Sequence, residues 1–282
     1  MRQTTQEIAA EWRGLVDPPY NWTKCVSQAG ALADYREGEG GGFFVQTDRL
    51  EGRRAYLKPR QPDVSRTFCR AAREKIASDL AAEVGVCVPP VVLAHRFDAA
   101  GEEHYVCVSL VMYPRQWSWA QVRAFLADRG ASPVAQRIAA LVPKSAAQGL
   151  AFDTWLGQGD HADHPHNIIF GYDPNDDTDR SFVFLDYAMA MGVRGAWENR
   201  GYSACPVAPF PLYMGQNLDR KALAETISLI ESVPESRIRD LVGRIPASYL
   251  PGEKGAIIAD GLVERRRLIR SALAPHLEQR QP

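Results

Sequence analysis

Hydrophobic and polar positions change their period about two fifths of the way along the chain. In the first part, short apolar runs are separated by turn formers. Ala31-Leu32-Ala33-Asp34-Tyr35, Phe43-Phe44-Val45-Gln46-Thr47 and Arg54-Ala55-Tyr56-Leu57-Lys58 read as three strands, with Gly38-Glu39-Gly40-Gly41-Gly42 and residues 48–53 as the turns between them. Over residues 66–84 the period lengthens. Ile76, Leu80 and Val84 recur every four positions, and Gly85 suits the place just past a helix end. Residues 91–96 and 105–112 then flank the turn Asp98-Ala99-Ala100-Gly101 and predict a hairpin. From Trp117 onward the spacing is helical, over 118–129, 133–156, 219–232, 235–245 and 256–277. The exception is 167–185, where two apolar strands, Asn167-Ile168-Ile169-Phe170 and Phe182-Val183-Phe184-Leu185, enclose a polar loop at 173–180. These elements predict an α+β, bilobal chain: a packed lead-in over 1–30, a small β-rich N-lobe with one inserted helix over 31–113, and a larger, mainly helical C-lobe over 114–282, with a cleft between the lobes.

Composition narrows the partners. The chain has 282 residues, 45% of them hydrophobic, with 33 Lys and Arg against 34 Asp and Glu, so no global field draws it to nucleic acid or an anionic membrane. No apolar run is long enough to span a bilayer, and the polar start of the chain lacks a signal-peptide core. The five cysteines are scattered without CxxC spacing, which predicts a reduced, cytoplasmic protein using them as small core residues.

The chemistry concentrates in residues 152–192, where Asp160, Asn167 and Asp186 surround the strand–turn–strand together with His161, His164 and His166. Phosphoryl transfer from ATP needs a cover for the phosphates, a cation to neutralise them, oxygen ligands for Mg²⁺ and a carboxylate to orient the acceptor hydroxyl. The chain offers these in the order of a protein-kinase-like plan. Gly40, Gly41 and Gly42 lie in a turn between strands, where backbone N–H groups could approach phosphate; the same residues also suit a plain hairpin. Lys58 closes the third strand, and Glu74 on the following helix is its expected partner, ahead of Glu83; a surface lysine and a surface glutamate are the alternative. Asp160 is the expected catalytic carboxylate, with Asp163 as its competitor. Asn167 opens an apolar strand, where an amide either pins the turn or supplies a hard oxygen to Mg²⁺. Asp186 closes the other strand, where a buried carboxylate is expensive unless paired or bound to metal.

The run Phe152-Asp153-Thr154-Trp155-Leu156-Gly157-Gln158-Gly159-Asp160, then His164-Pro165-His166-Asn167, then Leu185-Asp186-Tyr187, resembles the FDxWxxNxDRHxxN segment and DH or DY strand end of HipA-like kinases. That family belongs to the protein-kinase-like and phosphatidylinositol-kinase-like fold group. Residues 73–89, ending Gly85-Val86-Cys87-Val88-Pro89, resemble its inserted helix and GLPVP exit, and the helical tail fits as well. The resemblance implies a bacterial serine/threonine kinase of the toxin–antitoxin kind. It would use ATP and Mg²⁺, phosphorylate a hydroxyl acceptor on a protein, and have an antitoxin or regulatory protein as a possible partner. It assigns Asp160 to catalysis, Asn167 and Asp186 to the metal, and Gly40, Gly41, Gly42, Lys58 and Glu74 to the nucleotide. Residues 108–114, including Met112, would link the lobes and meet adenine. The chain departs from the pattern in spacing Asp160 and Asn167 seven apart instead of five, and in carrying Gln158 and His161 where the family has Asn and Arg.

Three other readings follow from the same residues. The lengthened loop suits a nucleotide-binding pseudokinase. The His161, Asp163, His164 and His166 cluster suits a metal-dependent hydrolase. The Arg265-Arg266-Arg267 and Arg270 cluster suits a nucleic-acid or partner surface, set against a solvated helix face with Leu262, Leu268, Ile269 and Leu273 inward.

Overall fold

The computed structural model describes residues 5–14, 20–21, 26–28, 43–47, 54–59, 69–97, 103–192, 197, 205–209 and 217–278. In chain order they form α1 (Thr5–Gly14), β1 (Tyr20–Asn21), β2 (Val26–Gln28), β3 (Phe43–Thr47), β4 (Arg54–Pro59), α2 (Arg70–Val84), β5 (Val91–Phe97), β6 (Glu103–Leu110), β7 (Arg115–Ser118), α3 (Trp119–Arg129), α4 (Pro133–Leu156), β8 (Ile168–Asp173), β9 (Asp176–Phe184), α5 (Arg220–Ser232), α6 (Glu235–Gly243) and α7 (Gly252–Glu278). Single 3₁₀ turns at Asp160–Ala162 and Pro165–Asn167 lead into β8. The expected strand at 31–35 and the turn holding Gly40, Gly41 and Gly42 lie outside the described residues.

The first sheet has the strand order β1-β5-β6-β4-β3-β2, antiparallel except where β1 runs beside β5. Its two faces follow from strand parity. Leu57 lies opposite Val108, which lies opposite Val92, and all three join Ile8 and Trp12 of α1 in one apolar cluster. The next residue along, Lys58, lies opposite Cys107, which lies opposite Leu93; Cys107 and Leu93 pack against Ala72, Ile76 and Leu80 of α2. Two helices therefore cover opposite faces of the sheet, and the alternation that buries Leu57 under α1 turns Lys58 toward α2.

Helix α2 is buried nearly all round, including Arg73, Glu74, Lys75, Ser78 and Asp79. Gly85, at φ 69°, ends it in the left-handed conformation, as the sequence predicts. The far side of α2 meets the C-terminal helices. Asp79 accepts from Lys75 at 2.8 Å and pairs with Arg244, while Glu83 takes Arg237 at 2.6 Å. Beyond α6, the Tyr249 hydroxyl donates to the carbonyl of Ala94 on β5.

A second sheet, β7-β8-β9, and helices α3 to α7 make the larger unit. Ser118 closes a capping box with Gln121 at the start of α3. Ser132 caps α4, with Pro133 in its first turn. Helix α4 is the central post, with Leu150, Ala151, Phe152, Trp155 and Leu156 fully buried. The connection from α2 to β5 meets the second sheet where Phe184 N donates to Cys87 O at 3.0 Å, and residues 111–114 pass from β6 to β7.

Several bounds differ from expectation. Helix α2 starts at Arg70, α6 ends at Gly243, and α7 starts at Gly252. Strand β7 was not expected: its four residues carry no alternation strong enough to stand out, and pairing with β8 is what makes it a strand. Among the described residues no helix is long and apolar enough to cross a membrane. Cys69 and Cys107 are buried and Cys87 and Cys205 half-buried, and among the described residues none of the four forms a disulfide.

Candidate active site

Three separate elements bring Lys58, Glu74 and Asp186 together. Lys58 Nζ donates to Glu74 Oε1 and lies 3.1 Å from Asp186 Oδ1. The other Glu74 oxygen accepts from Tyr187 N at 3.2 Å, so the carboxylate bridges the lysine and the backbone just past Asp186. Asp186 stands in the left-handed region at φ 61°, where the chain turns sharply at the end of β9. Gln158 Nε2 holds its carbonyl at 2.8 Å. Burial works against the Lys58 ammonium, but the charges of Glu74 and Asp186 outweigh it and raise the lysine above its ordinary range. Burial likewise opposes ionisation of Asp186, yet Lys58 and hydrogen bonds from its neighbours hold the carboxyl below its usual value. Burial, reinforced by the Asp186 charge, raises Glu74 against the pull of Lys58.

Asp160 and Asn167 arrive from the turns between α4 and β8. The Asp160 carbonyl accepts from Asp163 N at 3.2 Å and His164 N at 3.0 Å, closing a compact loop. Its carboxylate is a quarter exposed and lies 3.2 Å from His164 Nε2. Asp163, the competitor, is exposed on the rim. Asn167 is buried, and its carbonyl accepts from Leu185 N at 2.8 Å, which sets it beside the strand that ends in Asp186. Among the described residues nothing hydrogen-bonds its carboxamide. Its amide oxygen and the Asp186 carboxylate are hard donors of the type that suits Mg²⁺. Met112 lies in the connection from β6 to β7, its side chain buried with Ala9, Tyr113 and Val183.

Under these residues lies a buried polar network. His161 Nδ1 is 2.7 Å from Asp153 Oδ2, its Nε2 is 2.6 Å from Leu185 O, and Tyr187 OH donates to Asp153 Oδ1 at 3.0 Å. Aromatic edges close over it, with Phe152 to Tyr187 at 5.4 Å and His161 to Tyr187 at 5.1 Å. The backbone on both sides of the cleft floor, Asp160 and Asp186, is therefore tied to the last turn of α4. Glu83 proves to be occupied by Arg237, away from Lys58.

The fold is protein-kinase-like. The chain is similar to the Helicobacter pylori proinflammatory kinase CtkA at a TM-score of 0.64 and 11% identity, over 93% of this chain and 100% of that one. It is also similar to the Golgi casein kinase (TM-score 0.52, 12% identity, 98% of this chain and 76% of that one). A structure of that kinase with Mn and ADP bound gives a TM-score of 0.53 at 12% identity, over 98% of this chain and 77% of that one. No protein-family model matches the sequence, and no curated protein matches it.

Among the described residues the geometry gives no support to two of the alternative readings. No three His, Cys, Asp or Glu side chains there gather to hold a metal. His161 is committed to Asp153 and Leu185, and His164 lies against Asp160. The arginine cluster is not a free basic face either: Arg266 donates to Val233 O, Arg267 meets Glu235 and Glu264, and Arg270 meets Glu231. Arg265 is buried among main-chain carbonyls. The sequence reading gave Asp153 no role of its own and placed Arg265 in a surface cluster, although both left a signal of burial. Asp153 interrupts the apolar end of α4, and Arg265 falls on the same stripe as Ile258, Leu262, Ile269 and Leu273.

Proposed function

We propose that this chain is an ATP- and Mg²⁺-dependent phosphotransferase of the HipA-like type, moving the γ-phosphoryl group to a hydroxyl, with serine or threonine of a protein as the acceptor class. The observation that carries the reading is the Lys58–Glu74–Asp186 constellation, built from a strand, a helix and a strand end far apart in sequence. The Mn and ADP in the similar Golgi casein kinase structure support a nucleotide and divalent metal here. In this reading Glu74 holds Lys58 extended toward the α- and β-phosphates. Asn167 and Asp186 would hold the Mg²⁺, which supplies charge neutralisation at the phosphates. Asp160 orients the acceptor hydroxyl and takes its proton. In the same reading residues 31–113 would form the nucleotide lobe and those from 114 the acceptor lobe, with Met112 on the connection; the proposed cover for the phosphates is Gly40, Gly41 and Gly42, which lie outside the described residues.

Asp186→Asn should abolish Mg²⁺-dependent ADP binding in calorimetry. Asp160→Asn should leave ADP affinity within about twofold and lower ATP turnover by at least about 100-fold. Full turnover by Asp160→Asn would remove it from the catalytic role.

A second reading has one observation of its own. His164 lies against the Asp160 carboxylate, in a loop longer than the resembled pattern, which suits a nucleotide-binding module without turnover. ADP binding by the wild-type chain with no phosphate release or transfer would establish that reading instead.

A further inference from the structure

Arg265 is 4% exposed, yet no carboxylate among the described residues pairs with it. A buried guanidinium is costly unless its donors are met. Here main chain meets them: Nε donates to Trp155 O at 2.8 Å, Nη2 donates to Thr154 O, and Nη2 also reaches Pro206 O at 3.3 Å. Two of these carbonyls are the open end of α4, where the helix dipole favours a cation. The third belongs to residues 205–209, beyond Asp186. Trp197 covers the group, its ring centre 5.7 Å from Cζ. The ring is closely packed from one side: a Cβ on Gly192 would lie 2.3 Å from it, while one on Gly157 would stand in ordinary contact, 3.4 Å from the ring and 3.6 Å from Arg265 Cζ. Trp155 returns the contact by donating Nε1 to Leu262 O at 3.0 Å.

The same end of α4 holds residues 205–209 a second way, since Ala208 N donates to Thr154 Oγ1 at 3.1 Å. The segment then runs over the turn that carries Asp160, with Pro209 Cδ 3.7 Å from where a Cβ on Gly159 would stand. One guanidinium thus joins α7, the helix that leads into Asp160, and the chain that follows Asp186. Among the described residues nothing in this arrangement hydrogen-bonds or pairs with Lys58, Glu74 or Asn167. We propose that Arg265 is a positioning residue that docks residues 205–209 against the Asp160 turn, and that the docked segment is the wall on which the acceptor is seated. The docking rests on geometry alone; the seating of an acceptor rests on the phosphotransferase reading above.

Three variants test it. Arg265→Met removes the fork, and Arg265→Lys keeps the charge but can reach fewer carbonyls. Thr154→Val keeps the shape while removing the hydroxyl that holds Ala208, and serves if Arg265→Met does not fold. Amide exchange at Ala208, MgADP affinity, and the partition of ATP phosphate between dephosphorylated casein and water are measured for each. Arg265→Met and Thr154→Val should speed Ala208 exchange about tenfold while leaving MgADP affinity within about twofold. They should lower transfer to casein about tenfold more than hydrolysis, with Arg265→Lys in between. Unchanged Ala208 exchange in both variants overturns the docking. Equal loss of transfer and hydrolysis overturns the acceptor wall, as does wild-type transfer to casein slower than hydrolysis. A wild-type chain that turns over no ATP rejects the phosphotransferase reading, and the acceptor wall with it, while Ala208 exchange still decides the docking.

Discussion

His161 has an acceptor on each side, the Asp153 carboxylate at Nδ1 and the Leu185 carbonyl at Nε2. Neither can donate, so both bonds form together only when the ring is an imidazolium. Burial opposes that charge, but Asp153 and the two hydrogen bonds outweigh it and raise the pKa above the ordinary histidine value. A raised folded-state pKa fixes the sign. The network's stabilisation is fully present below the unfolded-state value of about 6.5 and is lost as pH rises through the higher folded value. The stability difference between the wild-type chain and His161→Gln, measured by urea unfolding, should therefore shrink as pH rises above neutrality. NMR of the ring should show it protonated at pH 6.5, and a neutral ring there would refute the assignment. The contacts of single residues divide by how locally they are written. The pairing of Lys58 with Glu74 was legible because one closes a strand and the other lies on the helix that follows it. His161 was read as a departure from a motif, since its partners lie eight residues back on a helix and at the end of another strand, and no local pattern shows either.

Gly149 sits in the interior of α4, where glycine costs about 1 kcal/mol relative to alanine. The packing accounts for it: a Cβ there would lie 2.6 Å from two ring carbons of Phe184, which is itself buried and two residues before Asp186. Gly149→Ala should gain the helix propensity and lose more to overpacking, for a net destabilisation of about 1 to 2 kcal/mol in thermal unfolding. Because Phe184 must move, MgADP affinity should fall with it; unchanged affinity would show that β9 absorbs the shift before Asp186. At this level the sequence was a good guide wherever an element carried its own signal. Gly85 past the end of α2 and the periods of α4 and α5 are local facts. Strand β7 was illegible because it exists through its partner, and α2 was legible as a helix without any sign that nearly every side of it would be covered.

That coverage joins the two lobes. Asp79 lies inside α2 between the buried Lys75 and Arg244 of the helical lobe. Asp79→Asn removes the charge that both cations face and should cost about 3 kcal/mol. Arg244→Met leaves the Lys75–Asp79 pair in place and should cost clearly less. In urea both variants should still unfold in one transition with the wild-type slope, because the interface they weaken ties the lobes into one cooperative unit. A second transition would mean that the lobes fold separately. The bond from Tyr249 to the Ala94 carbonyl gives this coupling a time axis. Its partners are 155 residues apart, so a ribosome adding about 5 to 20 residues per second delivers the tyrosine on the order of ten seconds or more after the strand it braces. During that interval the nascent sheet holds Lys58 without the lobe that finishes its support. A chaperone that shields the strands of a growing chain would find its longest opportunity there.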